Sequence, residues 1–391
     1  MVTLLFYYLK MKKNKLYTAL LALSVIALSS CKNDLDVLAP GKEAVSVYGI
    51  LNPNETVQNI RINKVYLTNG DALAAGQENS TINYGPGELL VTLQRFMTGS
   101  TTPTLTTVGN ATKKEIVLTE TVVTTASGNF DSNQRIWQTT DKLYTTGNYK
   151  LTIKNISTGT EITSQTVMVD SVRSYGSMPF VWIPNPSPTV AYPTHCNGYV
   201  LDSPPGTGTP RSRYVDYSNL TFTPKIKFKS VANAKLYSVV MRFHYIDSLQ
   251  GGGGVRNYVD FNFPTQKSPT LAGGEAMEVS FNCPEFYSNL AREIPKKTTG
   301  TVLFRTSHYI EYIITAGNDD LNTFLQVNQP SNSIAQDKPN YSNINGGVGI
   351  FGSFSRSIIS KDLLDDFINQ ISDNPATQSL NFRKNYAFIC P

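Results

Sequence analysis

The sequence predicts a mainly β protein: an N-terminal immunoglobulin-like antiparallel β-sandwich followed by a second β-rich domain with a few short helices. Two observations support this fold class. Short segments with alternating apolar and polar residues recur along the chain, separated by turn residues. Charged residues make up only 16% of the chain, while tyrosine (21) and glycine (27) are frequent. Aromatic and β-branched residues suit a pleated, half-buried surface.

Residues 1–30 have the order of parts of a secretory signal. A basic stretch with Lys12, Lys13 and Lys15 precedes residues 16–28, an apolar run too short for a structural membrane span. The sequence then continues with the residues of a lipobox-like site: Leu28, Ser29, Ser30 and Cys31. We expect cleavage before Cys31 and a covalent lipid on its thiol, with no other cofactor. Met11 resembles a natural start, so residues 1–10 are interpreted as a mis-assigned beginning.

Acylation would hold the chain stably at a membrane, since each buried methylene contributes about 0.8 kcal/mol. The residues after the anchor resemble the short acidic signal that directs Bacteroidetes lipoproteins to the cell surface: Lys32, Asn33, Asp34 and Asp36. We therefore expect an outer-membrane lipoprotein that faces outward, with the periplasmic leaflet as the alternative.

The predicted domains follow in order. A lipidated tether (31–42) leads to the sandwich domain (43–175), and a proline-rich linker or crossover (176–213) precedes the second β-rich domain (214–391). In the sandwich we expect strands at 45–51, 59–65, 89–96, 115–123, 149–153 and 166–169. In the second domain we expect strands at 222–228, 234–245, 255–263, 277–281, 302–305 and 311–316. The linker contains eight prolines, which remove backbone donors and exclude a central strand.

Three helices are expected in the second domain, at 284–293, 319–327 and 361–371. Proline at position 284 suits a first helical turn. For the third helix, Ser360 is the expected N-cap and Asp362 lies in the expected first turn. Leu363, Leu364, Phe367, Ile368 and Ile371 would form its apolar side.

Charge excludes one class of partner. The first 30 residues hold four lysines and no acid, so the rest of the chain has 30 basic and 29 acidic residues. A nearly neutral body lacks the electrostatic footprint of a nucleic-acid-binding protein. Beyond Cys31, three cysteines remain (Cys196, Cys283 and Cys390), and the sequence does not choose among their three possible pairings.

One segment is especially distinctive. Asn343, Ile344, Gly346, Gly347, Gly349 and Phe351 belong to a glycine-rich motif that resembles the C-terminal signature of the Bacteroidetes lipoproteins called domain of unknown function 4249. Residues 47–53 (VYGILNP) are similar to the opening strand and turn of the same family. The resemblance implies an outer-membrane lipoprotein, often encoded near TonB-dependent transporters. It implies no catalytic residues.

Known catalytic and ligand-binding patterns give little support to an enzyme. Residues 347–352 fit GxGxxG, but a dinucleotide site also needs a helix directly after the motif, and a strand is expected there. His195, His244 and His308 are widely separated and lack metal-ligand spacing. We expect His244 to face away from Phe243 and Tyr245. The pairs Asp319–Asp320 and Asp365–Asp366 are interpreted as helix-flanking or solvated acids, so neither a metal site nor a catalytic residue is predicted.

The sequence thus predicts a non-enzymatic accessory or binding component, with a TonB-dependent receptor as a candidate partner. A surface adhesin or glycan-binding module is the alternative, since exposed tyrosines, Trp137 or Trp182 could stack on sugars. A hydrolase with two converging carboxylates is a third hypothesis. Ser171 and Ser248 lie in Asp-Ser-apolar tripeptides that resemble the O-glycan attachment sites of exported Bacteroidetes proteins.

Overall fold

The computed structural model describes residues 44–65, 78–124, 133–170, 214–215, 217, 220–221, 223–298, 300–328, 341–363 and 365–384. The fold is mainly β, with a sandwich-like arrangement of sheets, a second β-rich part and four short α-helices among these residues. The strands in chain order are β1 (Ala44–Leu51), β2 (Gln58–Val65), β3 (Leu89–Phe96), β4 (Pro103–Thr104), β5 (Glu115–Val117), β6 (Thr119–Thr124), β7 (Asn133–Thr139), β8 (Asn148–Asn155), β9 (Glu161–Val167), β10 (Tyr214–Val215), β11 (Lys225–Lys229), β12 (Leu236–Leu249), β13 (Gly254–Asn262), β14 (Gln266–Lys267), β15 (Ala276–Ser280), β16 (Val302–Thr306), β17 (Tyr309–Gly317), β18 (Ile344–Asn345) and β19 (Gly347–Leu363). The helices are α1 (Asn79–Ile82), α2 (Cys283–Lys297), α3 (Asp319–Val327) and α4 (Asp365–Asp373).

The largest sheet contains eleven strands in the order β13-β12-β17-β19-β1-β2-β7-β6, with β10 added on β19, and β14 and β16 added on β12. A six-stranded sheet has the order β18-β9-β8-β3-β4, with β5 also paired to β3, and β11 pairs with β15. Neighbouring strands of the largest sheet are antiparallel except where β19 meets β1 and β10. Strand β19 is therefore shared: its first half pairs with β1 and its second half with β17.

Strand alternation places the buried residues as the sequence predicts. In β8, Tyr149, Leu151 and Ile153 are at most 1% exposed, while Lys154 is exposed. Together with β3, β1 and β2 they form one apolar cluster, which also includes Trp137 of β7 and Phe351 of β19. Removing this apolar area from water stabilises the fold by about 25 cal/mol per Å².

A second apolar cluster lies between β12, β17 and the helices α2 and α4. Its centre is aromatic: the ring of Phe286 lies 5.7 Å from that of Phe243 and 5.4 Å from that of Phe367. Each such pair adds about 0.5–1.5 kcal/mol beyond burial. The hydroxyls of Tyr217 and Tyr312 bond to each other within this cluster. Burial raises the pKa of both phenols, so they stay protonated.

The prediction for the third helix was wrong at its start. Ser360 and Asp362 belong to β19, where they pair with Glu311 and Tyr309 of β17, and α4 begins only at Asp365. Ladder hydrogen bonds to β17 outweigh the local helical pattern in this segment. Phe367, Ile368 and Ile371 of the helix are buried, as predicted. Strand β7 was not predicted.

Candidate binding surface

One face of the β12–β17 region packs on the aromatic cluster, and the other is open among the described residues. Phe243 and Tyr245 are at most 1% exposed, while His244 between them points to the open face, as predicted. The register places Tyr258 of β13 opposite His244 and Asp260 opposite Arg242. This arrangement brings polar and aromatic side chains from three strands together.

We call this group the Tyr258 cluster; its members are Arg242, His244, Tyr258, Asp260, Tyr309 and Glu311. Arg242 binds Asp260 through two hydrogen bonds, of 2.7 and 2.8 Å. The hydrogen bond to Asp260 raises the pKa of Arg242, which keeps the guanidinium charged. His244 Nε2 lies 2.9 Å from a carboxylate oxygen of Glu311. The charged groups of the cluster thus have partners within it.

The rings of the cluster are partly covered. Tyr258 and Tyr309 are 42% and 36% exposed. The guanidinium carbon of Arg242 lies 3.9 Å from the centroid of the Tyr258 ring, and Lys297 Nζ lies 4.5 Å from it. The imidazole of His244 stacks on Tyr309 at 4.3 Å. Cations next to an aromatic ring are attracted by its quadrupole, so Arg242 and Lys297 hold the ring of Tyr258 in place, while the ring of Tyr309 packs against the imidazole.

Beside the cluster lies a groove of about 1030 Å³ between β13 and α2, which we call the β13 groove. Its lining includes Phe261, Phe263, Phe281, Ser288, Asn289 and Arg292. Helix α2 buries Phe286, Leu290 and Ile294 in the core, and polar residues beside this buried face, including Ser288, Asn289 and Arg292, line the groove. Pockets of 300–1,000 Å³ are typical for ligands, so this groove has the size of a binding site.

Strand β13 forms the edge of the largest sheet, and its outer backbone groups line this side. Phe263 N donates to Val239 O at 3.1 Å, which fixes the odd-numbered residues of β13 as those bonded to β12. The backbone groups of Arg256, Tyr258, Asp260 and Asn262 therefore point away from the sheet. One of them, Tyr258 O, accepts a 2.6 Å hydrogen bond from Lys297 Nζ.

Beneath this surface, a buried ion pair joins β12 to β16. Asp247 and Arg305 are 1% and 6% exposed, and their atoms approach to 2.6 Å. Arg305 also donates to Leu380 O and Thr298 Oγ1, and Asn257 donates to Asp247. A buried charge needs such full pairing, so this network fixes the C-terminal segment on the sheet.

The residues of the family-like motif lie elsewhere, at the junction of the two larger sheets. Ile344 is buried and pairs with Ser164 of β9. Asn343 Nδ2 donates to Phe351 O at 2.7 Å, and Phe351 N donates to Asn343 Oδ1 at 2.9 Å. Both family-like segments meet here, because Gly49 pairs with Phe351 in the parallel β1–β19 ladder. Their contacts are those of a structural junction.

The glycines of the motif permit close backbone contact. A Cβ on Gly349 would lie 2.0 Å from Val47 O, and one on Gly347 would lie 2.6 Å from Val45 O. Gly346 and Gly349 have φ of +87° and +118°, which favour glycine. Gly347 to Gly352 all lie within β19, and the strand continues after the GxGxxG pattern, where a strand rather than a helix was expected.

The remaining predicted residues are dispersed. The anchor and export residues (Leu28, Ser29, Ser30, Cys31, Lys32, Asn33, Asp34 and Asp36) lie outside the described residues, as do Ser171, Trp182, His195, Cys196 and Cys390. Ser248 is half-buried in β12, beside the ion-paired Asp247, and its glycosylation stays a prediction. Trp137 is buried in the core and Cys283 is buried at the start of α2.

The acidic pair of α3 serves the helix and its neighbour. Asp319 and Asp320 lie in the first turn, where Asn318 accepts a hydrogen bond from Leu321 N as N-cap. Asp320 also accepts a 2.7 Å hydrogen bond from Tyr341. In the part of the chain that the structure describes, no cluster of three metal-binding side chains is found and no helix is long and apolar enough to span a bilayer.

Most residues of the Tyr258 cluster, and Lys297 next to it, could not be identified from the sequence. His244 and its direction follow from strand alternation, and Tyr258 belongs to a predicted strand. Arg242, Asp260, Glu311 and Lys297 carried no motif that singled them out. Their proximity depends on the order of strands in the sheet and on where α2 packs, and both are long-range properties.

Comparison with known proteins gives little further information. No family model matches the chain, and no curated protein sequence matches it. Among solved structures, one similarity is to the C-terminal globular domain of an oligosaccharyltransferase from Pyrococcus abyssi, with 9% identity and a TM-score of 0.15. The alignment covers 84% of this chain and 51% of that chain, so this chain spans about half of its length. A likeness at this level carries no argument about function.

Proposed function

We propose that this protein is a lipid-anchored, surface-exposed outer-membrane protein that binds another envelope component and acts as an accessory to a TonB-dependent transporter. The leader up to Cys31 and the family resemblance support the location. The observation that carries the binding role is the β13 groove, an open groove of about 1030 Å³ next to a strand edge that pairs with no other described strand.

The chemistry of the groove favours binding over catalysis. Asp260 is held by Arg242, and Glu293 bonds to both Arg292 and Lys296. Those two bonds lower the pKa of Glu293, whereas the general acid of a glycosidase needs a raised pKa. Asp260 and Glu293 are therefore suited to holding a fixed charge pattern rather than to donating a proton.

The anchor can be tested directly. Cells expressing the full chain would be labelled with a radioactive fatty acid, and membranes would be separated from soluble material. We expect label on the wild-type chain and none on Cys31→Ala, which should leave the membrane fraction. Label that persists on the variant, or an intact leader with unmodified Cys31 in mass spectrometry, would refute the lipoprotein assignment.

The binding role needs a test in native membranes. A photo-crosslinking amino acid would replace Ser288, which is exposed in the groove. The matched control places the same amino acid at Lys154, which is exposed on β8. We expect position 288 to crosslink one outer-membrane transporter and position 154 to give no such product. Equal crosslinking from both positions, or none from position 288, would contradict the proposal.

A glycan-binding role is the second candidate, favoured by the exposure of Tyr258 and Tyr309 on the open face. Tyrosines next to hydrogen-bonding groups are suited to stacking on sugars. A glycan array probed with the full chain tests it. Binding of the chain to an arrayed glycan that is lost in Tyr309→Ala would favour this role. The control is Tyr48→Ala, a substitution of another exposed tyrosine, which should keep the binding.

A further inference from the structure

We propose that the occupant of the β13 groove is an extended polypeptide segment that adds to β13 as a further strand. This inference rests on the proposed binding function and names the class of partner. It is argued from three features: the unpaired edge of β13, the dimensions of the groove, and the apolar and charged side chains along it.

The unpaired edge is the first feature. The backbone N–H and C=O groups of Arg256, Tyr258, Asp260 and Asn262 point away from β12, at the two-residue spacing of a strand. Among the described residues, Lys297 Nζ on Tyr258 O is the one hydrogen bond that these outer groups make. Such an edge is a template for another strand, and main-chain hydrogen bonds provide the affinity when a peptide adds to it.

The dimensions of the groove are the second feature. Lys297 reaches Tyr258 O at one end, while Phe263 and Phe281 contact each other near the other end, with ring centroids 5.8 Å apart. Along α2 the groove is lined from Pro284 to Lys297, which spans about 20 Å at a rise of 1.5 Å per residue. Along β13 and the residues after it the groove is lined from Val259 to Pro264, six residues or about 20 Å at 3.3 Å per residue. A six-residue extended segment therefore fits lengthwise between the two walls.

The side chains along the groove are the third feature. Phe261, Phe263 and Phe281 are partly buried and pack on the core, so an added strand could place apolar side chains against them. Two charged pairs are already formed at the groove, Arg242 with Asp260 and Arg292 with Glu293, and Glu285 also lines it. A charged ligand would have to compete with these pairs. The groove is thus complementary to a segment of low net charge with apolar residues at alternating positions.

An oligosaccharide is less well matched to this site. Sugar hydroxyls lack the alternating N–H and C=O pattern that the outer groups of β13 require. A hydroxyl can donate and accept, but sugar hydroxyls do not repeat at the two-residue spacing of a strand, so part of those groups would stay unpaired, and an unmade hydrogen bond costs more than a made one contributes. A polypeptide backbone presents N–H and C=O groups at the same two-residue spacing, so it pairs with all of these outer groups once Lys297 leaves Tyr258 O.

The test uses the full chain and a phage-displayed library of random twelve-residue peptides. The peptide that panning enriches would be synthesised, labelled and titrated by fluorescence anisotropy. Asn262→Pro removes the outward N–H of an edge residue, while Asn262→Ala removes the same side chain and keeps that N–H. We expect the proline variant to weaken binding at least tenfold and the alanine variant to change it less than twofold.

A second pair of variants guards against misfolding of the proline variant. Ser288→Trp fills the groove from α2, and Lys154→Trp places the same bulk on exposed β8. We expect Ser288→Trp to weaken peptide binding at least tenfold and Lys154→Trp to leave it unchanged. Amide exchange at Tyr258, Asp260 and Asn262 should slow when the peptide binds, because these N–H groups become hydrogen-bonded.

The outcomes separate this inference from the proposed function. Equal affinities of Asn262→Pro and Asn262→Ala, enrichment of no peptide, or peptide binding that survives Ser288→Trp would overturn strand addition. Binding of saccharides that Ser288→Trp abolishes would assign the groove to glycans and also overturn it. Peptide binding with the expected variant pattern, but without crosslinking from position 288 in native membranes, would support strand addition and refute the transporter-accessory role.

Discussion

The side chain of Asn343 takes the place of a missing strand beside Phe351. Its amide accepts from Phe351 N at 2.9 Å and donates to Phe351 O at 2.7 Å, as a neighbouring backbone would. Strand β17 pairs with β19 only from Phe354 onward, so among the described strands Phe351 has a sheet partner on one side alone, in β1. The asparagine thereby satisfies buried backbone groups at the point where β19 changes partners.

Asn343→Ala should therefore destabilise the protein. The substitution leaves the N–H and C=O of Phe351 without partners, at an expected cost of about 2–4 kcal/mol in the free energy of unfolding. Urea denaturation measures this. Asn345→Ala is the control, because Asn345 is exposed and should change stability by less than about 0.5 kcal/mol. Similar losses in both variants would show that the Asn343 amide has no special role.

Gly349→Ala should lower the free energy of unfolding more than an alanine substitution at another glycine of positive φ. Its Cβ would lie 2.0 Å from Val47 O, so β1 would have to move away from β19. Gly159 has φ of +72° and open space around it, and its substitution tests the backbone conformation alone. We expect Gly349→Ala to cost about 1–3 kcal/mol more than Gly159→Ala, the range of overpacking. Equal costs would mean that the close approach to β1 is unimportant.

Local sequence patterns predicted most of the longer strands and helices of the fold. The expected strand at 89–96 and the expected helix at 319–327 have the bounds of β3 and α3. Strand β7 was missed because it is rich in polar residues and its middle is only half-buried, so alternation is weak. The start of α4 was misplaced because pairing with β17 decides the conformation of 360–363, and that partner is about fifty residues away.

The candidate surface was less predictable than the fold. Alternation gave the direction of His244, since it depends on neighbours in the chain. No local pattern indicates that β13 is an edge strand, or that Lys297 of α2 reaches Tyr258 O. The glycine-rich motif was the most distinctive signal, and its described contacts are structural. Distinctive sequence and candidate function thus lie in different parts of this molecule.

Arg305→Met should be strongly destabilising. Asp247 is 1% exposed, and loss of Arg305 would leave its carboxylate buried, with the side-chain amide of Asn257 at 2.8 Å as its remaining hydrogen-bond partner among the described residues. Removing one partner of a buried pair costs about 3–5 kcal/mol. Lys225→Met breaks the exposed pair with Glu278 and should cost less than about 1 kcal/mol. Chemical denaturation of both variants checks the contrast, and a small loss for Arg305→Met would contradict it.

Replacing either of two buried tyrosines, Tyr237 and Tyr245, by phenylalanine should affect the free energy of unfolding differently at neutral pH and in the same way at alkaline pH. The Tyr237 hydroxyl accepts a 2.8 Å hydrogen bond from Val231 N, whereas the Tyr245 hydroxyl is buried with no partner among the described residues. Near pH 7, Tyr237→Phe should cost about 1 kcal/mol and Tyr245→Phe should be neutral or stabilising.

The pH dependence follows from the pKa of the same two phenols. Burial raises the pKa of both Tyr237 and Tyr245 to about 12, while an unfolded tyrosine ionises near pH 10. Between these values the unfolded state binds fewer protons, so stability falls as the pH rises. Each phenylalanine variant should lose about 1 kcal/mol less of its free energy of unfolding between about pH 8 and about pH 11 than the wild-type protein does. Urea titrations at both pH values measure this, and an unchanged loss in both variants would show that these phenols do not control alkaline unfolding.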